Sequence, residues 1–396
     1  MTRRVILHLG MHKTGTTTLQ NRLDGFDDGR TRYLDLGYPN HSIPLKLAYL
    51  EKAPRHFYES DDKADWPAER AAALARIERA LEEAAPKDVV ISGEELSTFP
   101  GGNWRPQMVS HLKRRVGRVE AIGYVRDPGG FMASDFGQRV QAGFREFDIA
   151  RLYPRYRFRF QGWLNVMREA GAPADLSLFD PATYEEGDVV NDFVRRAGLD
   201  PAALKPKTGL SNPSLTAEGA AVFYAFRHAD GPNPIRGAEN QAQNRLVNLM
   251  YGFGRNPIRL SPEILVPVFE ENAGEIAWIE KVIGQRFPAP KEGPVMFESS
   301  DQIVRYAASI GPELAEWLHA QGFEPANSGR DVPAIMRGMV LSLMGTSNTV
   351  ANRLRYRLAI WRRGREEKAL ARAERREREA AAKAAAAEKA EKAAKS

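Results

Sequence analysis

The order of apolar and amphipathic segments predicts an α/β fold, with a central parallel sheet flanked by helices, a helical C-terminal half and a helical tail. Three observations lead there. The apolar run Arg4-Val5-Ile6-Leu7-His8-Leu9 passes into a Gly-rich turn and then a helix, within Gly10 to Gln20, GMHKTGTTTLQ. Val119–Val125 has strand composition and passes into Arg126-Asp127-Pro128 and a second helix. Asp88-Val89-Val90-Ile91-Ser92 supplies a further strand between them. Strands alternating with helices in this way favour a parallel sheet covered on both faces. Ligands of such sheets gather beyond the C-terminal strand ends, where both turns fall.

Taken in order, the expected elements are a strand at 4–9, a helix at 14–24, a short extended piece at Arg32–Leu36, and loops rich in Pro, His and Asp. Residues 66–84 carry Ala, Leu and Ile on one helical face and Arg and Glu on the other. The third strand, 88–92, precedes a helix at 104–116. Pro128 suits the first turn of the helix after 119–125, where a missing N–H costs nothing. A strand follows at Asp175–Phe179. After residue 187 the pattern is almost wholly helical, at 187–197, 213–228, 236–252, 262–285 and 299–320.

The 396 residues, 43% of them hydrophobic, suffice for one large domain or two ordinary ones. With no cysteine there is no disulfide framework, thiolate nucleophile or Cys-based zinc site. Met1-Thr2-Arg3-Arg4 leads straight into the first strand, without the pattern of a signal peptide, so the expected location is cytoplasmic. The net charge of +6 divides unevenly. Residues 351–396 hold 15 Lys/Arg against 7 Asp/Glu, and the rest of the chain 42 against 44. The basicity therefore belongs to a tail, and nucleic acid is not an expected partner.

The turn at 10–18 states its chemistry. Backbone N–H groups of such a turn point inward, and the helix that follows presents unpaired N–H groups and the positive end of its dipole. Lys13 adds a mobile cation, and Thr14, Thr16, Thr17 and Thr18 add hydroxyls. The product is a P-loop-like cradle for an anion of phosphate size. The nucleotide-triphosphatase pattern G-x-x-x-x-G-K-[ST] is absent, because Lys13 precedes Gly15. So is the dinucleotide fingerprint G-x-G-x-x-G.

GMHKTGTTTLQ resembles the 5′-phosphosulfate loop of the sulfotransferases that use 3′-phosphoadenosine 5′-phosphosulfate (PAPS): Gly-x-x-(Lys/Arg)-(Thr/Ser)-Gly-Thr-(Thr/Ser), an apolar residue, then Gln. In that family an Arg and a Ser after a later strand hold the 3′-phosphate, and Arg126 and Ser134 match them in spacing. A planar guanidinium fork suits that task. The ordinary alternative is Asp127 capping a helix, with Arg126 in a surface pair. The resemblance covers mainly residues 4–24 and 119–140, with weaker echoes to about 215. It implies PAPS as co-substrate, no metal, and cofactor contacts from Gly10, His12, Lys13, Thr14, Gly15, Thr16, Thr17, Thr18, Arg126 and Ser134. Asn212 and Ser214, opening a helix, are implied on the 3′-phosphate side; an ordinary N-cap is the alternative. The family's Arg-Lys-Gly phosphate motif is missing. In the family an aromatic near the end of the strand matching Asp175–Phe179 contacts adenine, which the resemblance implies for Phe179 or Tyr184, or else Phe179 is core.

Sulfuryl transfer requires a proton acceptor, a hold on the sulfuryl oxygens and stabilisation of the leaving 5′-phosphate. Lys13 serves the last two. Glu94, at the tip of strand 88–92, is the favoured general base and Glu95 the second, where the family places a histidine or a glutamate. A helix-capping role for either is the alternative, and His12 and His41 are lesser candidates. His8, alternating with apolar residues, reads as a core histidine. Arg151, Arg155, Arg157 and Arg159 interleave with Tyr153, Tyr156, Phe158, Phe160 and Trp163. They suit an anionic or sugar-like acceptor, or a helix with one aromatic face.

The expected division is a sulfotransferase-like domain at 1–330, a basic amphipathic segment at 331–364, and a solvated Ala/Glu/Lys/Arg-rich helix at 365–396. The basic segment either docks on its own domain or makes weak contact with an anionic membrane or acidic partner. The expected activity is sulfuryl transfer from PAPS to a hydroxyl acceptor of glycan or glycolipid type. A catalytically silent nucleotide-binding module anchored by its tail is the other reading. A phosphotransferase is disfavoured by the misplaced lysine.

Overall fold

The computed structural model describes residues 2–52, 65–99, 102–206, 214–230, 238–324 and 331–345. They form two compact units. The first comprises Met1–Ser134, Ile149–Pro213 and Pro262–Lys291; the second comprises Asp135–Asp148, Ser214–Ser261 and Glu292–Ser396.

The first unit is built on five parallel strands in the order β2-β3-β1-β4-β5: β1 Arg4–Leu9, β2 Thr31–Tyr33, β3 Asp88–Gly93, β4 Arg118–Val125 and β5 Ala174–Leu178. Central β1 pairs with β3 from Val5↔Val89 to Leu9↔Gly93, and with β4 from Arg4↔Arg118 to Leu9↔Gly123. Five consecutive residues of β1, Val5 to Leu9, are buried, as a strand covered on both faces must be. That includes His8, whose Nδ1 lies 2.8 Å from Ser92 Oγ, so the core reading of this histidine holds.

Helices α1 (Thr16–Leu23), α2 (Ser42–Tyr49), α3 (Trp66–Glu83), α4 (Trp104–Val116), α5 (Pro128–Gln141), α6 (Gly162–Glu169) and α7 (Val189–Ala197) follow in chain order. Leu19 and Leu23 of α1 and Val190 and Phe193 of α7 share a core with Ile6, Val90 and Ile122 of the sheet. On α4, Met108, Val109 and Leu112 are buried. The apolar spacing predicts α4 at its observed bounds and α3 to within one residue. The loop reading of 37–50 misses α2, an eight-residue helix interrupted in sequence by Pro44. Residues 150–161 hold two short turns, Ala150–Leu152 and the π-helical Arg157–Gln161, before α6 begins.

The helical C-terminal half starts as expected, with breaks that periodicity does not show. In the first unit, 262–285 is two helices, α10 (Pro262–Glu271) and α11 (Ala273–Ile283), parted at Asn272. In the second unit lie α8 (Ala217–Asp230), α9 (Ala238–Met250), α12 (Ser300–Ser309), α13 (Gly311–Ala320) and α14 (Val332–Leu343). Ile310 separates α12 from α13. Helix α8 packs against α12 and α14. Val332, Ile335, Met336, Met339 and Val340 of α14 are buried, so the start of the segment 331–364 belongs to the core of this unit. The basic patch at 353–363 and the tail at 365–396 lie outside the described residues. Among the described residues no helix is long and apolar enough to cross a membrane.

Candidate active site

The sheet ends in a cluster of loops that brings three sequence motifs together. Gly10 follows β1 directly, and its N–H donates to Gly93 O at the tip of β3 (3.2 Å). A Cβ at Gly10 would stand 2.5 Å from Glu94 Cα and 2.8 Å from Gly93 O. Only glycine lets this loop and the strand tip that carries Glu94 touch. Gly15 is needed for a second reason. Its φ of +73° is left-handed, and a Cβ would also meet Val189 Cγ1 at 2.8 Å. Gly10→Ala and Gly15→Ala are each expected to destabilise the fold by about 1–3 kcal/mol, since backbone or α7 must shift. A thermal melt reads that loss. Nucleotide binding should fall more than in a control substitution of equal instability.

Gly15 caps α1 with no side-chain hydrogen bond, and the first turn of α1 holds no acidic residue. The leading N–H groups of this helix, with its positive dipole end, therefore face the loop. The four threonines divide into two pairs. Thr14 and Thr16 are buried, and both hydroxyls turn inward to Met11 O, at 2.7 and 3.3 Å. They brace the loop from below. Thr17 and Thr18 are half-buried on the first turn of the helix.

Lys13 has a φ of +69°, unusual for a residue with a side chain. Holding it there costs of order 1 kcal/mol. Arg126, at the C-terminal end of β4, donates through Nη1 to Lys13 O (2.7 Å) and lies with its guanidinium carbon 5.9 Å from the Phe179 ring centroid. Tyr156 Oη in turn donates to Arg126 O (2.7 Å). The arginine selected as a phosphate ligand thus also fixes the lysine's backbone. Asp127 caps α5, accepting from Gly130 N at 2.6 Å, and Ser134 is half-buried two turns further on.

Glu94 opens the 3₁₀ turn Glu94–Ser97 after β3. Burial raises its pKa above the usual carboxylate value, and the Lys13 charge opposes the shift. Glu95 is half-buried and ion-paired with Lys46 of α2. The turn is braced from three sides. Asn40 Oδ1 accepts from Glu94 N (3.4 Å) and from Ser42 Oγ (2.7 Å), and Ser42 Oγ accepts from Glu95 N (3.0 Å). Gln20 of α1 donates to Asn40 Oδ1 and Ser92 Oγ, at 3.3 and 3.1 Å. Trp163 Nε1 donates to Leu96 O (2.9 Å).

His12 is partly buried and its pKa is lowered to about 4, by desolvation first, then by Arg159, Lys13 and Lys46. The imidazole is neutral at physiological pH, mainly through burial, and the three cations that add to the shift define a positive field beside the loop. His41 is wholly buried under Tyr33, with ring centroids 4.5 Å apart, and its Nδ1 accepts from Ser92 N (3.1 Å). Phe179 is half-buried beside Arg126 and Gly15. Ser214 is exposed ahead of α8, and Asn212 lies outside the described residues. No group of three or more His, Asp or Glu able to hold a metal ion occurs among the described residues.

The sequence carries no motif for Lys46, Asn40 or Ser42, each from a segment distant in the chain. Arg159 and Trp163 stand in the sequence only as part of the arginine–aromatic run, and the fold brings them beside His12 and the Glu94 turn. Arg159 lies 5.1 Å from the Phe131 ring centroid.

No protein-family model matches the chain, and no curated protein matches it. Among solved structures it is similar to the sulfotransferase domain from the curacin biosynthetic pathway. That likeness has a TM-score of 0.30 and 16% identity, over 53% of this chain and 80% of that domain. It is also similar to the sulfotransferase domain from the Synechococcus PCC 7002 olefin synthase, with a TM-score of 0.32 and 13% identity, over 69% of this chain and 95% of that domain. At this level of overlap the likeness assigns neither substrate nor site residues.

Proposed function

We propose that the chain is a PAPS-dependent sulfotransferase acting on a hydroxyl acceptor, of glycan or glycolipid type. The observation that carries the reading is the meeting of the Gly10–Gly15 loop, Lys13 and a desolvated Glu94 at the C-terminal ends of β1 and β3. The loop is held close to the strand tip and to α7, since a Cβ at Gly10 would collide with Glu94 and one at Gly15 with Val189. Glycine-rich turns leading into a helix suit an anionic group. Bound PAPS would supply the sulfuryl group. The N–H groups leading α1, with Thr17 and Thr18, would hold the 5′-phosphosulfate, and Arg126 and Ser134 the 3′-phosphate. Lys13 would take up charge growing on the bridging oxygen, and Glu94 would accept the hydroxyl proton. Glu95, held by Lys46, is the less available carboxylate of the pair.

Calorimetric titration with 3′-phosphoadenosine 5′-phosphate (PAP) tests the reading. Arg126→Gln is expected to weaken binding at least about tenfold, because it removes a charge-assisted contact and releases the Lys13 carbonyl. Failure of the wild-type protein to bind PAP would contradict the proposal. Binding without transfer to any hydroxyl compound would instead favour the silent nucleotide-binding module.

A further inference from the structure

The N-terminal end of α4 holds a buried cation that sulfuryl transfer, as laid out above, does not use. Arg105 is the second residue of that helix and is 8% exposed. Its guanidinium carbon lies 4.5 Å from the Trp104 ring centroid and 5.9 Å from that of Trp163. Among the described residues it makes no hydrogen bond and no ion pair, and its Nε is buried without an acceptor. Gly162, the first residue of α6, leaves the space: a Cβ there would stand 3.2 Å from Arg105 Nη1.

The surroundings make an uncompensated cation costlier still. Asn103 gives α4 no side-chain cap, and the first turn has no acidic residue. The orphan N–H groups and positive dipole end of a helix lie where its early side chains lean, towards the N-terminus. A largely buried guanidinium with an orphaned Nε, carried on the first turn of a helix that has no acidic residue there, favours an anion beside it. Burial accordingly lowers the Arg105 pKa to about 10. A further group points the same way. Ser97 Oγ, on the turn that carries Glu94, is buried without a partner. Trp163 joins the two places, stacking on Arg105 and donating through Nε1 to Leu96 O.

We propose that the Trp104–Arg105–Trp163 cage is an oxyanion subsite that binds a carboxylate, sulfate or phosphate carried by the acceptor. This rests on the sulfuryl-transfer reading for the word acceptor, while the anion site stands on its own observations. A planar guanidinium held over an indole ring can offer two N–H groups to two oxygens at once. The hydroxyl to be sulfated would then lie on a molecule anchored beside the Glu94 turn.

Selenate, a sulfate isostere visible by anomalous scattering, provides the probe. Crystals of the wild-type protein saturated with PAP are expected to show selenate at Arg105, and crystals of Arg105→Gln none. In solution, tryptophan emission of the PAP-saturated protein should respond to selenate with saturation. Arg105→Gln should weaken that response at least about tenfold, and Arg105→Lys less. PAP affinity should stay within about twofold in Arg105→Gln, because the subsite serves the acceptor. No selenate at Arg105 in the wild-type crystal would overturn the inference and leave the donor reading standing, as would an adventitious ion only, bound equally after substitution. A large loss of PAP affinity in Arg105→Gln would place the arginine on the donor side and also overturn it. Should PAP fail to bind the wild-type protein, the donor reading falls, and the selenate map still decides whether Arg105 binds an anion.

Discussion

Lys13→Ala is expected to lower sulfuryl transfer by about 10²–10³-fold while leaving the fold intact. The side chain is half-buried at the loop surface, and alanine inherits the same left-handed backbone, so the melting temperature should move little. The reason for so large an effect is position. Lys13 is close enough to lower the pKa of both His12 and Glu94, so its charge acts where the loop and Glu94 meet. Turnover with radiolabelled PAPS, once an acceptor is in hand, reads the loss. A second consequence is independent of rate. Without the Lys13 charge, the acidic limb of any residual activity should move to higher pH, since one of the influences restraining Glu94 has gone. Transfer at the wild-type rate would remove Lys13 from the mechanism.

Glu94→Gln is expected to reduce turnover about 10²-fold or more with PAP affinity retained, because glutamine keeps the shape and loses the basicity. Stability should change in the opposite direction. Burial raises the carboxyl pKa in the folded state, so the folded protein holds this proton more tightly than the unfolded chain. Below the unfolded pKa the group is neutral in both states and the burial carries no charge penalty. The penalty enters as pH rises through the raised folded pKa, and it persists at neutral pH. Glu94→Gln should therefore melt higher than wild type at neutral pH, with the difference closing on acidification. A base is the kind of residue for which such an exchange of stability for activity is expected. If Glu95→Gln loses activity and Glu94→Gln does not, the strand tip supplies the base through the other residue. Full activity in both would send the search to His12, which is partly buried beside three cations, ahead of His41, which is wholly buried.

The loop, the strand tip and the β4–α5 junction were legible because each lies within a dozen residues of continuous chain. Two glycines, a lysine and a run of threonines have few reasons to coincide, and the strands beside them are apolar without interruption, as parallel strands are. What escaped is tertiary in origin. Lys46 sits on a short helix whose Pro44 makes the sequence look like a loop, and nothing local says that it will face Glu95. Asn40 and Ser42 are ordinary turn residues until folding places them under the Glu94 turn. The breaks at Asn272 and Ile310 fall inside unbroken helical periodicity, so 262–285 and 299–320 read as single helices. The threonines show the same limit at atomic scale. Four hydroxyls were expected toward the anion, and two of them bond to Met11 O instead. Arg126 was selected for a phosphate, and its contact with the Lys13 carbonyl depends on β1 and β4 being neighbours.

The proposed function requires that this loop and Arg126 together accept a nucleotide with phosphates at both the 3′ and 5′ positions. Calorimetric comparison of PAP with ADP is decisive, because the two share adenosine and carry two phosphates each, both at the 5′ end in ADP and one of them at the 3′ position in PAP. A charge-assisted contact of Arg126 with a 3′-phosphate, supported by Ser134, would contribute about 1.5–3 kcal/mol, so under the proposed function PAP should bind at least about tenfold more tightly than ADP. Arg126→Gln should narrow that ratio. Equal affinity for PAP and ADP in the wild-type protein would contradict the account.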